Sequence, residues 1–265
     1  MRILFAADEH PYSLTAMPQV ERLGENTWAD ITILGVEKKS AIDTTLKAYH
    51  NSFMDHFDPE ALPYSPGRNN KNLQGGIRKQ IKTRVRRGDP AKEILEEARQ
   101  MGSDLIVMGC SEKKCDWQGA GDIPLKVARN ADCSVLIIKA EKKIRRVLCC
   151  LDHTNITQAS LEMINQMVTL FHSGLEIVVL TDGRKMDKKL GAKLSALLKY
   201  YVARNIYPSI ETVKLSSLER FVSQQARWGL MALWMGKKSI FESVFPSSKV
   251  SRLLKVNNSS VLLLR

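Results

Sequence analysis

The two halves of this chain close on the same pattern, and no other feature limits its fold so sharply. Residues 104–139 read DLIVMGCSEKKCDWQGAGDIPLKVARNADCSVLIIK, and residues 231–265 read MALWMGKKSIFESVFPSSKVSRLLKVNNSSVLLLR. Each is a short apolar run ending in Met-Gly, a polar loop, an amphipathic helical stretch and a closing apolar strand. The openings match as well. Arg2-Ile3-Leu4-Phe5-Ala6-Ala7-Asp8 aligns with Arg146-Val147-Leu148-Cys149-Cys150-Leu151-Asp152 at a constant offset. A unit of this length that recurs once encodes one α/β domain twice. The 265 residues suffice for two such domains of roughly 120–140 residues, each able to bury its own core. We set them at 1–140 and 141–265, with the short charged stretch AEKKIR at 140–145 as a linker that packs the domains side by side.

Periodicity fills in the unit. The runs at 2–7, 29–36, 104–108 and 134–139 are apolar enough for parallel strands buried on both faces. Residues 77–87 alternate, which predicts a strand with one wetter face. Leu14, Met17, Val20 and Leu23 recur at helical spacing after a turn at 8–13, with Pro18 near the first turns of that helix. Further helices are expected at 40–57, 91–101 and 123–130, the second started by Asp89 as N-cap and Pro90 at its first position. The proline- and glycine-rich 58–76 is a loop. The second half gives strands at 146–151, 175–180, 209–214, 230–235 and 260–264 and helices at 157–171, 187–204, 217–228 and 248–256. A βαβαβαβαβ order implies a parallel sheet covered on both sides by right-handed crossovers.

Composition excludes several classes. A hydrophobic content of 44% is too high for a disordered chain, and no run of about 18 apolar residues offers a membrane span. The apolar stretch in residues 1–9 is too short for a signal peptide and recurs at 146–152 as a strand. A cytoplasmic protein is expected. Cys133, Cys149 and Cys150 read as buried free thiols. Cys110 and Cys115 share a loop, but without a CxxC pair or an HxxxH spacing they do not make a metal site. The net charge of +12 gathers between 78 and 87, at 142–146 and at 184–193. These stretches lack the aromatic residues that stack on nucleic-acid bases, so they read as solvated faces and a basic linker.

Taken together, the strand ending in Asp8, the turn and helix Arg87-Gly88-Asp89-Pro90-Ala91-Lys92-Glu93-Ile94-Leu95, the run Asp104-Leu105-Ile106-Val107-Met108-Gly109 and the closing Ala131-Asp132-Cys133-Ser134-Val135-Leu136-Ile137-Ile138 resemble the universal stress protein family in its tandem form. The resemblance covers nearly the whole chain. It implies two doubly wound α/β domains of the adenine nucleotide alpha hydrolase-like type, each with a five-stranded parallel sheet. It also implies edge-strand pairing between the halves, an internal pseudo-dimer. In the nucleotide-binding branch the Met-Gly strand is followed by G-x2-G-x9-G-(S/T), whose glycines let backbone N–H groups approach phosphates at a helix start. The aspartate after the first strand and a backbone position at the end of the second hold the nucleoside; here these are Asp8 and Val36.

The chain departs from this pattern in both halves. In the first, Met108-Gly109 matches, but the second glycine position is Glu112, the third is best placed at Gly121, and the hydroxyl position is Asp122. Two carboxylates would then face a triphosphate, each charge pair costing roughly 3 kcal/mol at ~5 Å and an effective dielectric of about 20. Mg²⁺ bridging carboxylate and phosphate reverses that sign. In the second half Asp152 and Gly236 match, while Ser239 and Ser247 replace the glycines and Ser248 and Lys249 follow. That loop keeps hydroxyls and positive charge, and reads either as an anion site or as a polar loop with an N-cap.

The expectation is therefore a stress-response binding or signalling module without robust catalysis, working through protein partners, with ATP binding weak or lost. Alternatives are a sensor of adenine nucleotides or other anions using one degenerate loop, and a basic adaptor for nucleic acid or an anionic surface. An enzyme is disfavoured. Asp8-Glu9-His10-Pro11 holds no glycine-rich phosphate loop, and no G-x4-G-K-(S/T) occurs. His10 beside Asp8 is the one candidate for acid–base chemistry, against the ordinary reading of an exposed loop histidine. The pseudo-dimer leaves either a monomeric chain or a dimer of tandems.

Overall fold

A computed structural model describes residues 1–26, 29–37, 42–56, 81–110, 123–139, 144–151, 157–181, 188–225, 229–234 and 259–265. The strands are β1 (Arg2–Ala6), β2 (Asp30–Glu37), β3 (Ile81–Arg87), β4 (Leu105–Gly109), β5 (Ser134–Ile138), β6 (Arg146–Leu151), β7 (Gly174–Thr181), β8 (Ser209–Lys214), β9 (Gly229–Trp234) and β10 (Ser260–Leu264). The helices are α1 (Pro11–Asn26), α2 (Ile42–His56), α3 (Pro90–Met101), α4 (Ile123–Asn130), α5 (Gln158–Leu170), α6 (Lys188–Val202) and α7 (Leu218–Gln225), with a 3₁₀ turn at Leu215–Ser217 before α7. The helix expected at 248–256 lies outside the described residues.

All ten strands form one sheet in the order β3-β2-β1-β4-β5-β10-β9-β6-β7-β8. Among the described residues every pairing within a half is parallel, and the halves meet through the antiparallel pair β5–β10, with Val261 opposite Ile137 and Leu263 opposite Val135. The sheet reads the same from either edge, as two copies related by a pseudo-twofold require. The matching ends SVLIIK and SVLLLR make the junction reciprocal. The Lys139 N–H donates to Ser260 Oγ at 3.3 Å, and the Arg265 N–H donates to Ser134 Oγ at 3.4 Å. The Arg265 guanidinium reaches further and donates to the Ala128 and Arg129 carbonyls at 3.0 and 2.7 Å. It thereby satisfies carbonyls that the end of α4 leaves without intrahelical partners.

Burial explains the uninterrupted apolar strands. One face of the sheet packs Phe5, Ile33, Val107, Leu136, Leu262, Ala232, Cys149 and Ile177 against α1, α2, α5 and α6. The other packs Leu4, Leu34, Met108, Val135, Val261, Met231, Cys150 and Val178 against α3, α4 and α7. Each core runs through both halves without a break.

Local signals behave as their chemistry requires. The Asp89 carboxylate accepts from the Lys92 N–H, Pro90 opens α3, and Gly102 ends it in the left-handed region at φ 58°. Thr157 and Ser160 form a reciprocal capping box on α5. Three expectations need correction. Helix α1 begins at Pro11, inside the expected turn, so Pro18 sits about two turns in. The helix is held instead by the burial of Ala16, Val20 and Leu23. Leu14, expected on that apolar face, is 56% exposed, because two residues from Ala16 is about 200° round the helix. Strand β3 has no buried face over most of its length; it is the outermost strand of the sheet, where only one edge is paired.

Candidate functional site

The strand order reverses beside β1. Helix α1 leads from β1 to β2 on one side, while β4 pairs on the other. Such a switch point leaves a crevice beyond the carboxyl ends of the strands. Ala6 lies opposite both Leu34 of β2 and Met108 of β4. Carrying those registers forward brings Asp8 level with Val36 and sets Gly109 beside the β1–α1 loop. Four of the residues singled out by the sequence, Asp8, Val36, Met108 and Gly109, thus meet at one end of the sheet. Gly121, Asp122, Asp152, Gly236, Ser239, Ser247, Ser248 and Lys249 lie outside the described residues.

Asp8 is completely buried, and its own loop holds it. Oδ1 accepts from the His10 N–H at 3.1 Å and the Ser13 hydroxyl at 2.7 Å. Oδ2 accepts from the Tyr12 hydroxyl at 2.5 Å and lies 3.1 Å from His10 Nδ1. The Ser13 oxygen in turn accepts from the Asp8 N–H at 3.0 Å. From α2, the Tyr49 hydroxyl donates to the Asp8 carbonyl at 3.1 Å. Burial and the nearby Asp8 charge push the Tyr49 phenol up to about 12. The His10 ring stacks on Tyr12, with centroids 5.1 Å apart and planes 10° from parallel, and is 45% exposed. His10 is the member of the network that faces solvent.

Gly109 has a packing role. A Cβ there would stand 2.0 Å from the Tyr12 carbonyl oxygen, closer than any side chain can approach. The first turn of α1 therefore rests directly on the end of β4, and only glycine permits it. Next to it, the Cys110 N–H donates to the Ile138 carbonyl at 2.8 Å. Cys110 is disulfide-bonded. Cys133, Cys149 and Cys150 are free; burial pushes the Cys150 thiol up to about 12 and Cys133 to about 11. Among the described residues no group of three histidine, cysteine or acidic side chains can hold a metal ion. None of their helices is long and apolar enough to cross a membrane.

The basic strand β3 is largely neutralised. Arg86 bonds Glu97 at 2.5 Å, Glu93 at 3.3 Å and also Gln100. Arg84 lies 3.5 Å from Glu97, and Arg87 lies 3.3 Å from the mostly buried Glu37. A cation already paired with a carboxylate has little charge left for an anionic partner.

Sequence reasoning weighed His10 but gave no part to Tyr12, Ser13 or Tyr49. The spacing from Asp8 to Ser13 is a local signal of a carboxylate closing over a helix start. Tyr49 is 41 residues away and carries no such signal.

The sequence model of the Universal stress protein family matches residues 1–139. A universal stress protein of Methanocaldococcus jannaschii is 41% identical over 64 residues, which cover 24% of this chain and 38% of that protein. The universal stress protein YxiE of Bacillus subtilis is 26% identical over 147 residues, 52% of this chain and 98% of that protein. In three dimensions the chain is similar to a universal stress protein from Archaeoglobus fulgidus, with a TM-score of 0.61 at 17% identity over 100% of this chain and 96% of the other. That likeness is one of fold.

Proposed function

The chain belongs to the universal stress protein family, and from that premise we propose that it is a stress-response binding module that takes up an adenine nucleotide weakly and does not turn it over. The observation that carries this reading is the meeting of Asp8, Val36, Met108 and Gly109 at the switch point of the first half. A nucleoside fits the crevice beyond these strand ends, with its phosphates toward the loop that follows Gly109. Glu112 and Asp122 in that loop repel phosphate, so the ligand enters with Mg²⁺ or stays weakly held. The second half, with Ser239, Ser247, Ser248 and Lys249 after Gly236, is the alternative anion site.

The same reading divides the chain into domains 1–140 and 141–265, places it in the cytoplasm and gives it protein partners that respond to the bound state. The neutralised β3 argues against the nucleic-acid adaptor. Calorimetric titration of nucleotide-stripped protein with ATP, with and without Mg²⁺, tests the reading. Expected is one site per chain, with a dissociation constant above about 10 μM, or less than about 7 kcal/mol. Asp122→Ser is expected to tighten Mg²⁺-free binding several-fold, since it removes a like charge. If Ser248→Ala with Lys249→Ala abolishes binding instead, the site is in the second half. No heat at millimolar ATP sinks the nucleotide reading.

A further inference from the structure

We infer that Trp234 decides which half of the chain takes a nucleoside: it stands where the first half has Gly109, and it closes the second half to that ligand. This rests on the nucleotide reading above and chooses between its two crevices. Strand register carries the argument. Phe5 lies opposite Val107, and its repeat partner Cys149 lies opposite Ala232. On the other side Leu105 lies opposite Ser134, and Leu230 lies opposite the repeat partner Ser260. Counting from either neighbour puts Trp234, not Gly236, at the level of Gly109. Gly109 pairs with Ile138 at the end of β5, and Trp234 pairs with Leu264 at the end of β10. Alternation along the strands sets both positions on the face that α1 and α5 cover, the face of Val107 and Ala232.

The exchange of glycine for tryptophan has a steric consequence. A Cβ at Gly109 would stand 2.0 Å from the Tyr12 carbonyl oxygen, because the first turn of α1 lies on that spot. At the equivalent spot Trp234 places an indole and is 1% exposed. A close-packed interior has no room for a helix start and an indole together, and α5 does start later. At the offset that relates Asp8 to Asp152, the first residue of α1, Pro11, corresponds to Asn155. Helix α5 begins at Gln158, most of a turn further on. The hydroxyls that hold Asp8 go with that turn. Tyr12 corresponds to Ile156, which has no hydroxyl. Ser13 corresponds to Thr157, whose hydroxyl is engaged at the N-cap of α5 with the Ser160 N–H at 3.1 Å and the Ser160 hydroxyl at 2.8 Å. The loop and helix start that shape the first crevice thus have no counterpart beside Trp234.

The test follows Trp234 itself. The protein is labelled with 5-fluorotryptophan, and the ¹⁹F resonance of Trp234, one of four tryptophans, is identified by its loss in Trp234→Phe. Calorimetry of the same protein with ATP and Mg²⁺ counts the sites. Expected are one equivalent bound, no ATP-induced shift of the Trp234 resonance, and amide exchange slowed by ATP in residues 7–13 but not in residues 146–161. A second equivalent, a Trp234 resonance that moves with saturation, or protection at 146–161 overturns the assignment while leaving nucleotide binding intact. Wild type that binds no ATP overturns the nucleotide reading and this inference with it.

Discussion

Tyr49 shows how a single residue ties the site to the fold. It leaves α2 to bond the Asp8 carbonyl and meets Phe5 edge-on at 6.0 Å, so it braces the β1–α1 loop from behind. Its phenol is pushed up to about 12 from 10.0, first by burial and then by the Asp8 charge. The folded state therefore holds this proton more tightly than the unfolded chain does. That contribution is constant below pH 10 and is lost as pH rises from 10 towards 12, where the unfolded state ionises first. Thermal melts of wild type and Tyr49→Phe are expected to differ by a constant amount up to pH 10 and to converge above it; a gap that stays constant to pH 12 would contradict this. Asp8 itself was legible in the sequence as the residue after the first strand. What surrounds it was not, because its three donors, the His10 N–H and the Tyr12 and Ser13 hydroxyls, come from backbone and side chains whose geometry only the helix start sets.

Among the elements, α3 is the one written most fully in its own residues. Its cap, its first proline, the acidic Glu93 in its first turn and the glycine past its end all appear locally, and the helix runs from Pro90 to Met101 as those signals dictate. Asp89→Ala is expected to cost about 1 kcal/mol, read as a shifted denaturation midpoint at unchanged slope. Helix α1 is the opposite case. Pro18 costs it a backbone hydrogen bond and Leu14 points to solvent, yet it persists because Ala16, Val20 and Leu23 lie under it against the sheet. Tertiary burial overrides propensity there, and no local reading of those residues could place the helix start correctly. Strand β3 makes a related point: its alternation is real, but an outer strand need not bury the apolar half of it.

At the scale of the molecule, the two cores cross from one half to the other through β5 and β10. A cavity at that junction should therefore be felt on both sides. Leu262→Ala is expected to destabilise the protein by about 2–5 kcal/mol and to raise amide exchange in β1 and β6 together; a response confined to β6 and its neighbours would show that the halves are stabilised separately. The sequence alone determined that an α/β unit occurs twice, which runs are strands and which residues close each half, since periodicity, caps and internal repetition are local quantities. It also pointed to Asp8, Val36, Met108 and Gly109. Edge pairing of the halves was expected from the resemblance; only the tertiary structure decided its antiparallel sense, its register and its reciprocal serine contacts, and that Gly109 is required by the backbone of α1. It also decided that Asp8 is enclosed by its own loop while His10 stands outside. Those facts depend on distances between residues far apart in the chain or on the register of neighbouring strands, and such distances exist only once the chain has closed on itself.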